Sequence, residues 1–240
     1  MIETVTFDYW QTLVEEPWGA MRAMQLDRWR SALAAAGHEV PRAGLEEAFD
    51  RSWAVFEERW RENVGPYLPS DATDLICDRL GIRSLDGLRA ELVDAFRIAG
   101  ELAPLDLANG AEECLRRLRK AGIRLGIVCD VGMTSAPTLR ASLEGFGLLD
   151  AFDAWSFSDE TGWFKPAREA FEPALAALGV SEPSLAAHVG DRKRTDVAGA
   201  LALGMTAVRY TGFRDDPHEG PEAHHVIASL TDLPAVLGLG

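Results

Sequence analysis

From residue 104 onward, helical and extended patterns alternate along the chain, and this alternation constrains the fold more than any other feature. Helices are predicted at 111–121 and 167–178, where apolar residues recur at helical spacing. Short apolar runs that predict strands lie between and after these helices, at 125–128, 154–157, 185–189, 206–209 and near Val226. A closing helix is expected from Asp232. Such alternation predicts an α/β fold with a parallel sheet covered by helices on both faces.

Residues 14–103 follow a different pattern, in which apolar side chains recur at helical spacing without intervening strands. Two helical faces are indicated by Leu26, Trp29 and Leu33, which end before Gly37, and by Leu45, Phe49 and Phe56. Candidate N-caps for a third and a fourth helix are Ser70 and then Ser84 or Asp86. The predicted organisation is therefore a Rossmann-like core of residues 1–13 and 104–240, interrupted by a helical insert of residues 14–103.

Two carboxylates follow the predicted strand that ends at Gly190. Asp191 comes directly after it and Asp196 follows five positions later, where Thr195 is expected to open a helix that stops at Gly204. Ligands of open α/β sheets bind at the carboxyl ends of strands. Carboxylate oxygens suit Mg2+, although an Asp in a first helical turn is equally compatible with a solvated acidic loop.

Two further short motifs carry ionisable residues. Asp8 directly follows the apolar run 5–7, and Thr12 lies four positions after it. Lys165 precedes Pro166, which is expected to open a helix at Ala167. Each motif alone is weak evidence for a functional site.

Together, Asp8, Lys165 and the Asp191–Asp196 pair resemble the motifs of the haloacid dehalogenase-like (HAD) hydrolase superfamily, in the same order and over nearly the whole chain. The resemblance implies a Rossmann-like core with an α-helical cap inserted after the first motif. It also implies a Mg2+-dependent hydrolase acting on a small phosphorylated metabolite. The cap is expected to close over the site and to select the substrate.

The resemblance assigns roles to individual residues. Asp8 is the expected nucleophile, forming an aspartyl-phosphate that water then hydrolyses, and Lys165 is expected to stabilise negative charge. The implied metal ligands are Asp8, the backbone carbonyl of Trp10, Asp191 and Asp196, the last directly or through a water. The implied substrate-binding residues are Thr12, Cys129 and Asp130. His188, inside a predicted strand, is expected to be a core residue.

Three positions depart from the family pattern. Typical HAD phosphatases carry an Asp two residues after the nucleophile as general acid and base, where this chain has Trp10. General acid–base catalysis contributes roughly 10²–10⁴-fold, and an indole N–H can only donate a hydrogen bond. Cys129 stands where the family usually has Ser or Thr, and Asp130 where it often has Asn. The cysteine weakens one phosphate contact, and the aspartate adds negative charge.

Three interpretations follow from these departures. The first is a phosphatase whose substrate has a good leaving group or whose acid comes from elsewhere, with Glu15, Glu16 and His38 as candidates. The second is a 2-haloacid dehalogenase, which needs no leaving-group proton and no metal. The third is a degenerate member that binds a ligand or a partner with little catalysis.

Composition narrows the partners and the compartment. A net charge of -14 argues against nucleic acid, because phosphate backbones are bound by clusters of Lys and Arg. Three cysteines without close pairing fit a reduced, cytoplasmic protein, and no apolar run is long enough to predict a membrane span. The expected partners are a small phosphorylated molecule and, at most, a second copy of the chain in a homodimer.

Overall fold

The computed structural model describes residues 2–16, 19–83 and 87–239, so the predicted caps Ser84 and Asp86 lie outside the described residues. The chain divides into two compact units, which we call the sheet unit and the helical unit. The sheet unit comprises Met1–Glu15, Leu105–Asp130 and Leu143–Gly240, and the helical unit comprises Glu16–Pro104 and Val131–Ser142. The domain boundaries given above stay a prediction.

The strands are β1 (Thr4–Phe7), β2 (Val14–Glu15), β3 (Asp106–Leu107), β4 (Arg124–Cys129), β5 (Ala154–Phe157), β6 (Ala186–Gly190), β7 (Thr206–Tyr210) and β8 (His225–Ile227). A six-stranded parallel sheet in the order β5-β4-β1-β6-β7-β8 confirms the predicted α/β fold. A separate antiparallel pair joins β2 to β3.

The helices are α1 (Ala20–Ala35), α2 (Arg42–Glu62), α3 (Pro69–Arg79), α4 (Leu88–Leu102), α5 (Ala111–Lys120), α6 (Ala136–Gly145), α7 (Ser158–Thr161), α8 (Arg168–Ala177), α9 (Ala198–Leu203) and α10 (Leu233–Val236). Among the described residues, no helix is both long enough and apolar enough to cross a membrane. Every residue of β1 and β6 is buried, as expected for central strands with both sheet faces covered.

The helical unit has an aromatic core that explains its apolar periodicity. Trp29 of α1 packs edge-on against Phe49 of α2 and Phe96 of α4, at centroid distances of 5.2 and 5.9 Å. The two phenylalanine rings stack at 5.8 Å. All three side chains are at most 3% exposed, so the aromatic residues are packing residues.

The predicted cap at Ser70 is wrong, because α3 already begins at Pro69 with Leu68 at the N-cap position. The Leu68 N–H donates instead to Oδ2 of Asp71 at 2.8 Å. Proline at the first helical position fits this earlier start, because the first N–H of a helix has no intrahelical partner.

The three cysteines are free thiols buried in the two units: Cys77 in the helical unit, Cys114 and Cys129 in the sheet unit. Burial raises the pKa of Cys77 to about 11 and that of Cys114 to about 12. Burial, reinforced by Asp8, raises the pKa of Cys129 well above its ordinary value. All three therefore stay protonated at neutral pH and behave as small apolar side chains.

Candidate active site

Three neighbouring strands end at the candidate site. β1 lies between β4 and β6, and the residues that follow these strands are Asp8, Asp130 and Asp191. The Asp8 N–H extends the β1–β6 ladder by donating to the Val189 carbonyl at 2.8 Å. Parallel strands thus bring carboxylates that are far apart in sequence to one edge of the sheet.

Asp196 reaches this edge from an irregular helical segment. Residues Lys193–Val197 form a π-helical turn, and α9 begins only at Ala198, so the predicted helix start at Thr195 is wrong. The predicted stop at Gly204 is confirmed, with φ +79°. π turns are rare and often occur at functional sites, because the extra residue redirects side chains.

Gly190 leaves the space that the Asp196 carboxylate occupies. A Cβ built on Gly190 would lie 2.2 Å from Cγ and 2.6 Å from Oδ1 of Asp196, closer than real Cβ contacts. Gly199 likewise leaves space for the Phe171 ring, because a Cβ there would lie 2.6 Å from that ring. Both glycines of the 190–199 motif are therefore explained by close packing and not by backbone conformation.

Lys165 joins two of the carboxylates. Its Nζ lies 2.8 Å from Oδ1 of Asp8 and 2.6 Å from Oδ1 of Asp196, and its side chain is 2% exposed. The backbone N–H of Lys165 donates to Oδ1 of Asp130 at 3.0 Å, which ties the lysine loop to the end of β4. The geometry thus gives Asp130 a contact with the protein backbone, while its predicted contact with substrate stays a prediction.

Asp196 accepts several further hydrogen bonds. The Arg192 N–H donates to Oδ2 at 2.9 Å, and the Thr195 hydroxyl contacts the same oxygen at 3.3 Å. Nε2 of His188 lies 3.1 Å from Oδ1, the oxygen that also contacts Lys165. A buried carboxylate with this many donors is held in one orientation.

The ionisation of the cluster follows from burial and from these contacts. Burial, only partly offset by Lys165, raises the pKa of Asp8 to about 6. Burial together with Asp196 and Asp8 raises the pKa of Asp191 well above its ordinary range. Burial alone would raise the pKa of Asp196 too, but Lys165 and His188 lower it below its ordinary value. Burial opposes the charge of Lys165 as well, yet Asp196 and Asp8 raise its pKa well above 10.5.

The donor set fits a hard divalent cation. Asp8, Asp191 and Asp196 are all buried, and each offers a carboxylate oxygen within 4.8 Å of the others. Lys165 offsets one negative charge of this group, and a further ionised carboxylate in so buried a site is electrostatically costly. Mg2+ prefers carboxylate oxygens, so these residues suit it.

The remaining predicted site residues lie at the end of β4 or shortly after β1 in the chain. Cys129 is the last residue of β4, the strand that pairs with β1, and its thiol is buried. Trp10 is half-buried and packs edge-on against the Tyr9 ring at 4.8 Å. Thr12 is fully buried, and its hydroxyl has no hydrogen-bond partner among the described residues.

The sequence analysis did not connect His188 or Asp216 with this cluster. His188 is buried in β6, as expected of a core residue, but its ring also contacts Asp196. A histidine inside an otherwise small and apolar strand was the available signal. Asp216, in the segment after β7, accepts from the Lys193 N–H at 2.9 Å and so supports the start of the π turn. No local pattern in the sequence connects Asp216 with Lys193, because the contact spans 23 positions.

Comparison with known proteins agrees with this geometry. The family model of haloacid dehalogenase-like hydrolases matches residues 2–204. Haloacid dehalogenase-like hydrolase domain-containing protein 3 of Mus musculus is 33% identical over 218 residues, covering 88% of this chain and 78% of that protein. Phosphoserine phosphatase of Thermus thermophilus is 37% identical over 135 residues, or 55% of this chain and 51% of that protein.

A solved structure shows the same fold over its full length. The crystal structure of 2-haloacid dehalogenase from Pseudomonas syringae pv. Tomato DC3000 superposes with a TM-score of 0.74 at 24% identity, covering 99% of each chain. The family model spans most of the chain, and the matched range includes the buried carboxylates and Lys165. The chain is a member of the haloacid dehalogenase-like hydrolases.

Proposed function

We propose that this protein is a Mg2+-dependent phosphatase that hydrolyses a small phosphorylated molecule through an aspartyl-phosphate on Asp8. The observation that carries the proposal is the position of Lys165, whose buried ammonium lies between Asp8 and Asp196 at 2.8 and 2.6 Å. A fixed cation at this point can compensate charge on a transferring phosphoryl group. The similarity to a phosphatase over about half of the chain supports the same reaction class.

The chemical steps are those of nucleophilic catalysis by a carboxylate. A carboxylate oxygen of Asp8 forms a bond to phosphorus while the bond from phosphorus to the leaving oxygen breaks, and the leaving oxygen takes the electron pair. Water then attacks the phosphorus of the aspartyl-phosphate, the bond from phosphorus to the Asp8 oxygen breaks, and inorganic phosphate leaves as the Asp8 carboxylate is restored. Lys165 carries its positive charge at neutral pH, because Asp196 and Asp8 hold its pKa above its ordinary value.

Asp8, Asp191 and Asp196, with the Trp10 carbonyl as the predicted fourth protein ligand, would hold the cation. When bound, Mg2+ supplies charge neutralisation to the phosphoryl oxygens. Asp196 is already engaged by Lys165 and by the Arg192 N–H, so an indirect role for it toward the cation agrees with these contacts.

Trp10 limits the substrates that this chemistry can serve. An indole cannot give a proton to the leaving oxygen, so an ester whose leaving group is already a stable anion is favoured. We further propose that residues 14–103 form a helical cap and that the protein is cytoplasmic and forms a homodimer.

The experiment is hydrolysis of p-nitrophenyl phosphate with Mg2+ and with EDTA. Its phenolate leaving group needs little protonation, so the tryptophan at position 10 should matter least there. Turnover should require Mg2+, and Asp8→Asn should lower it by at least about 10³-fold, since the nucleophile is lost. Asp27→Asn is the matched control, because Asp27 is an exposed residue of α1.

Turnover that survives EDTA or Asp8→Asn would contradict the proposal. If the wild-type protein releases no phosphate with Mg2+ or with EDTA, the dehalogenase interpretation is tested by chloride release from 2-chloropropionate without metal. Folding of Asp8→Asn is checked by thermal unfolding, so that loss of activity is not mistaken for loss of structure.

A further inference from the structure

A line of polar side chains crosses the buried centre of the parallel sheet. Thr6 of β1 and His188 of β6 are direct register partners, and each is at most 1% exposed. The Thr6 hydroxyl lies 2.9 Å from Nδ1 of His188, and Nε2 of the same ring lies 3.1 Å from Oδ1 of Asp196. Buried polar groups are costly unless they are paired, so this arrangement calls for a reason.

The direction of the second hydrogen bond follows from the groups involved. An ionised carboxylate only accepts, so Nε2 of His188 carries the hydrogen and donates to Asp196. This assignment holds whether or not Nδ1 also carries a proton, because the Thr6 hydroxyl can accept as well as donate. When it does not donate to Nδ1, the hydroxyl can donate to the Ala187 carbonyl at 3.4 Å.

Packing fixes the plane of the imidazole. Phe171 of α8 meets the His188 ring edge-on, with centroids 5.0 Å apart. Phe171 itself rests against the bare backbone of Gly199, where a Cβ would lie 2.6 Å from the ring. The ring of His188 is thereby held between a hydroxyl, a carboxylate and an aromatic edge.

We propose that His188 is a positioning residue, which fixes the Asp196 carboxylate so that it holds Lys165 Nζ against Asp8. Oδ1 of Asp196 receives both the lysine and the histidine, while Oδ2 receives the Arg192 N–H. The histidine thus fixes the rotation of the carboxylate through Oδ1, while the backbone N–H of Arg192 holds Oδ2. The kinetic part of this inference rests on the proposed function, and the structural part does not.

The structural part is tested by NMR of lysine side chains labelled with ¹⁵N. The chain contains only Lys120, Lys165 and Lys193, so few signals overlap. The ammonium protons of Lys165 are buried and hydrogen-bonded, so they should exchange slowly and give an observable signal. Assignment uses Lys165→Arg, and no substrate or metal is needed.

Two substitutions of His188 separate hydrogen bonding from packing. His188→Phe keeps an aromatic ring against Phe171 but removes the donor, so the Lys165 ammonium signal should be lost. His188→Gln keeps an amide donor and should retain the signal. With p-nitrophenyl phosphate, kcat should fall about 10–100-fold in His188→Phe at nearly unchanged KM, and glutamine should restore most of it.

Thr6→Val is the second, milder variant if His188→Phe fails to fold. It removes the partner of Nδ1 and should weaken the Lys165 signal with a smaller loss of kcat. The inference is overturned if the Lys165 signal of a folded His188→Phe or Thr6→Val protein equals that of the wild type. If wild-type protein shows the signal but no phosphatase activity, the positioning role stands and the proposed function fails.

Discussion

Gly190→Ala is the substitution for which the structure gives the most direct expectation. The added Cβ would lie 2.2 Å from Cγ of Asp196, whereas ordinary contacts begin at about 3.4 Å, a shortfall of about 1.2 Å. If Asp196 retreats by that amount, its 2.6 Å contact with Lys165 lengthens to about 3.8 Å, beyond hydrogen-bonding range. The lysine then keeps Asp8 as its remaining carboxylate partner among these contacts.

The expected cost has two parts. Breaking a buried ion pair by displacing one partner costs about 3–5 kcal/mol of unfolding free energy, because a buried charge loses its compensation. A displacement of about 1 Å in a catalytic group also lowers turnover by roughly 100-fold. Urea denaturation at neutral pH measures the first effect, and p-nitrophenyl phosphate hydrolysis with Mg2+ measures the second.

Gly145→Ala is the matched control. Gly145 is the last residue of α6, a Cβ there would meet nothing within 4 Å, and its φ is not positive. Alanine at that position should change stability by less than about 1 kcal/mol, in the stabilising direction. The explanation given for the motif glycine would be refuted by a Gly190→Ala protein that matches this control in both stability and turnover.

Two further substitutions test other parts of the structure. Trp10→Asp should raise turnover of alkyl phosphate esters by about 10-fold or more, because alkyl leaving groups need a proton. Turnover of p-nitrophenyl phosphate, whose leaving group needs little protonation, should hardly change. Equal effects on both substrates would show that position 10 does not act on the leaving group. Asp216→Asn should cost about 1–2 kcal/mol at pH 7, since a charged acceptor for the Lys193 N–H is lost. Burial alone would raise the pKa of Asp216, but the Lys193 N–H and His218 lower it overall, so this stabilisation is present above the ordinary pKa of about 3.9 and disappears as the pH falls below it. Urea denaturation of the wild-type and Asp216→Asn proteins at several pH values measures the difference in their unfolding free energies. A difference that grows on acidification would contradict this expectation.

The sequence was sufficient for the sheet and for the ends of its strands. Short apolar runs marked β4 to β7 within one or two residues, because parallel strands buried on both faces are mostly apolar. Asp8 and Asp191 were found for the same reason, since each follows such a run directly. Local pattern therefore locates residues that lie immediately beside a regular element.

Local sequence patterns could not predict contacts between segments that are far apart in the chain. The π turn at 193–197 depends on where Asp196 must point, and the sequence of the turn itself looks like an ordinary helix start. The roles of Gly190 and Gly199 depend on side chains that fill the space above them. His188 was correctly expected in the core, but its partners on β1 and in the π turn appear only once the sheet is assembled.

The buried thiols give each unit of this chain its own chemical reporter. A protonated, enclosed thiol does not react with alkylating reagents, so Cys77, Cys114 and Cys129 become labelled only when the structure around them opens. Cys77 reports on the helical unit, and the other two report on the sheet unit. Mass spectrometry after timed alkylation can therefore distinguish unfolding of one unit from cooperative unfolding of both, without any engineered probe.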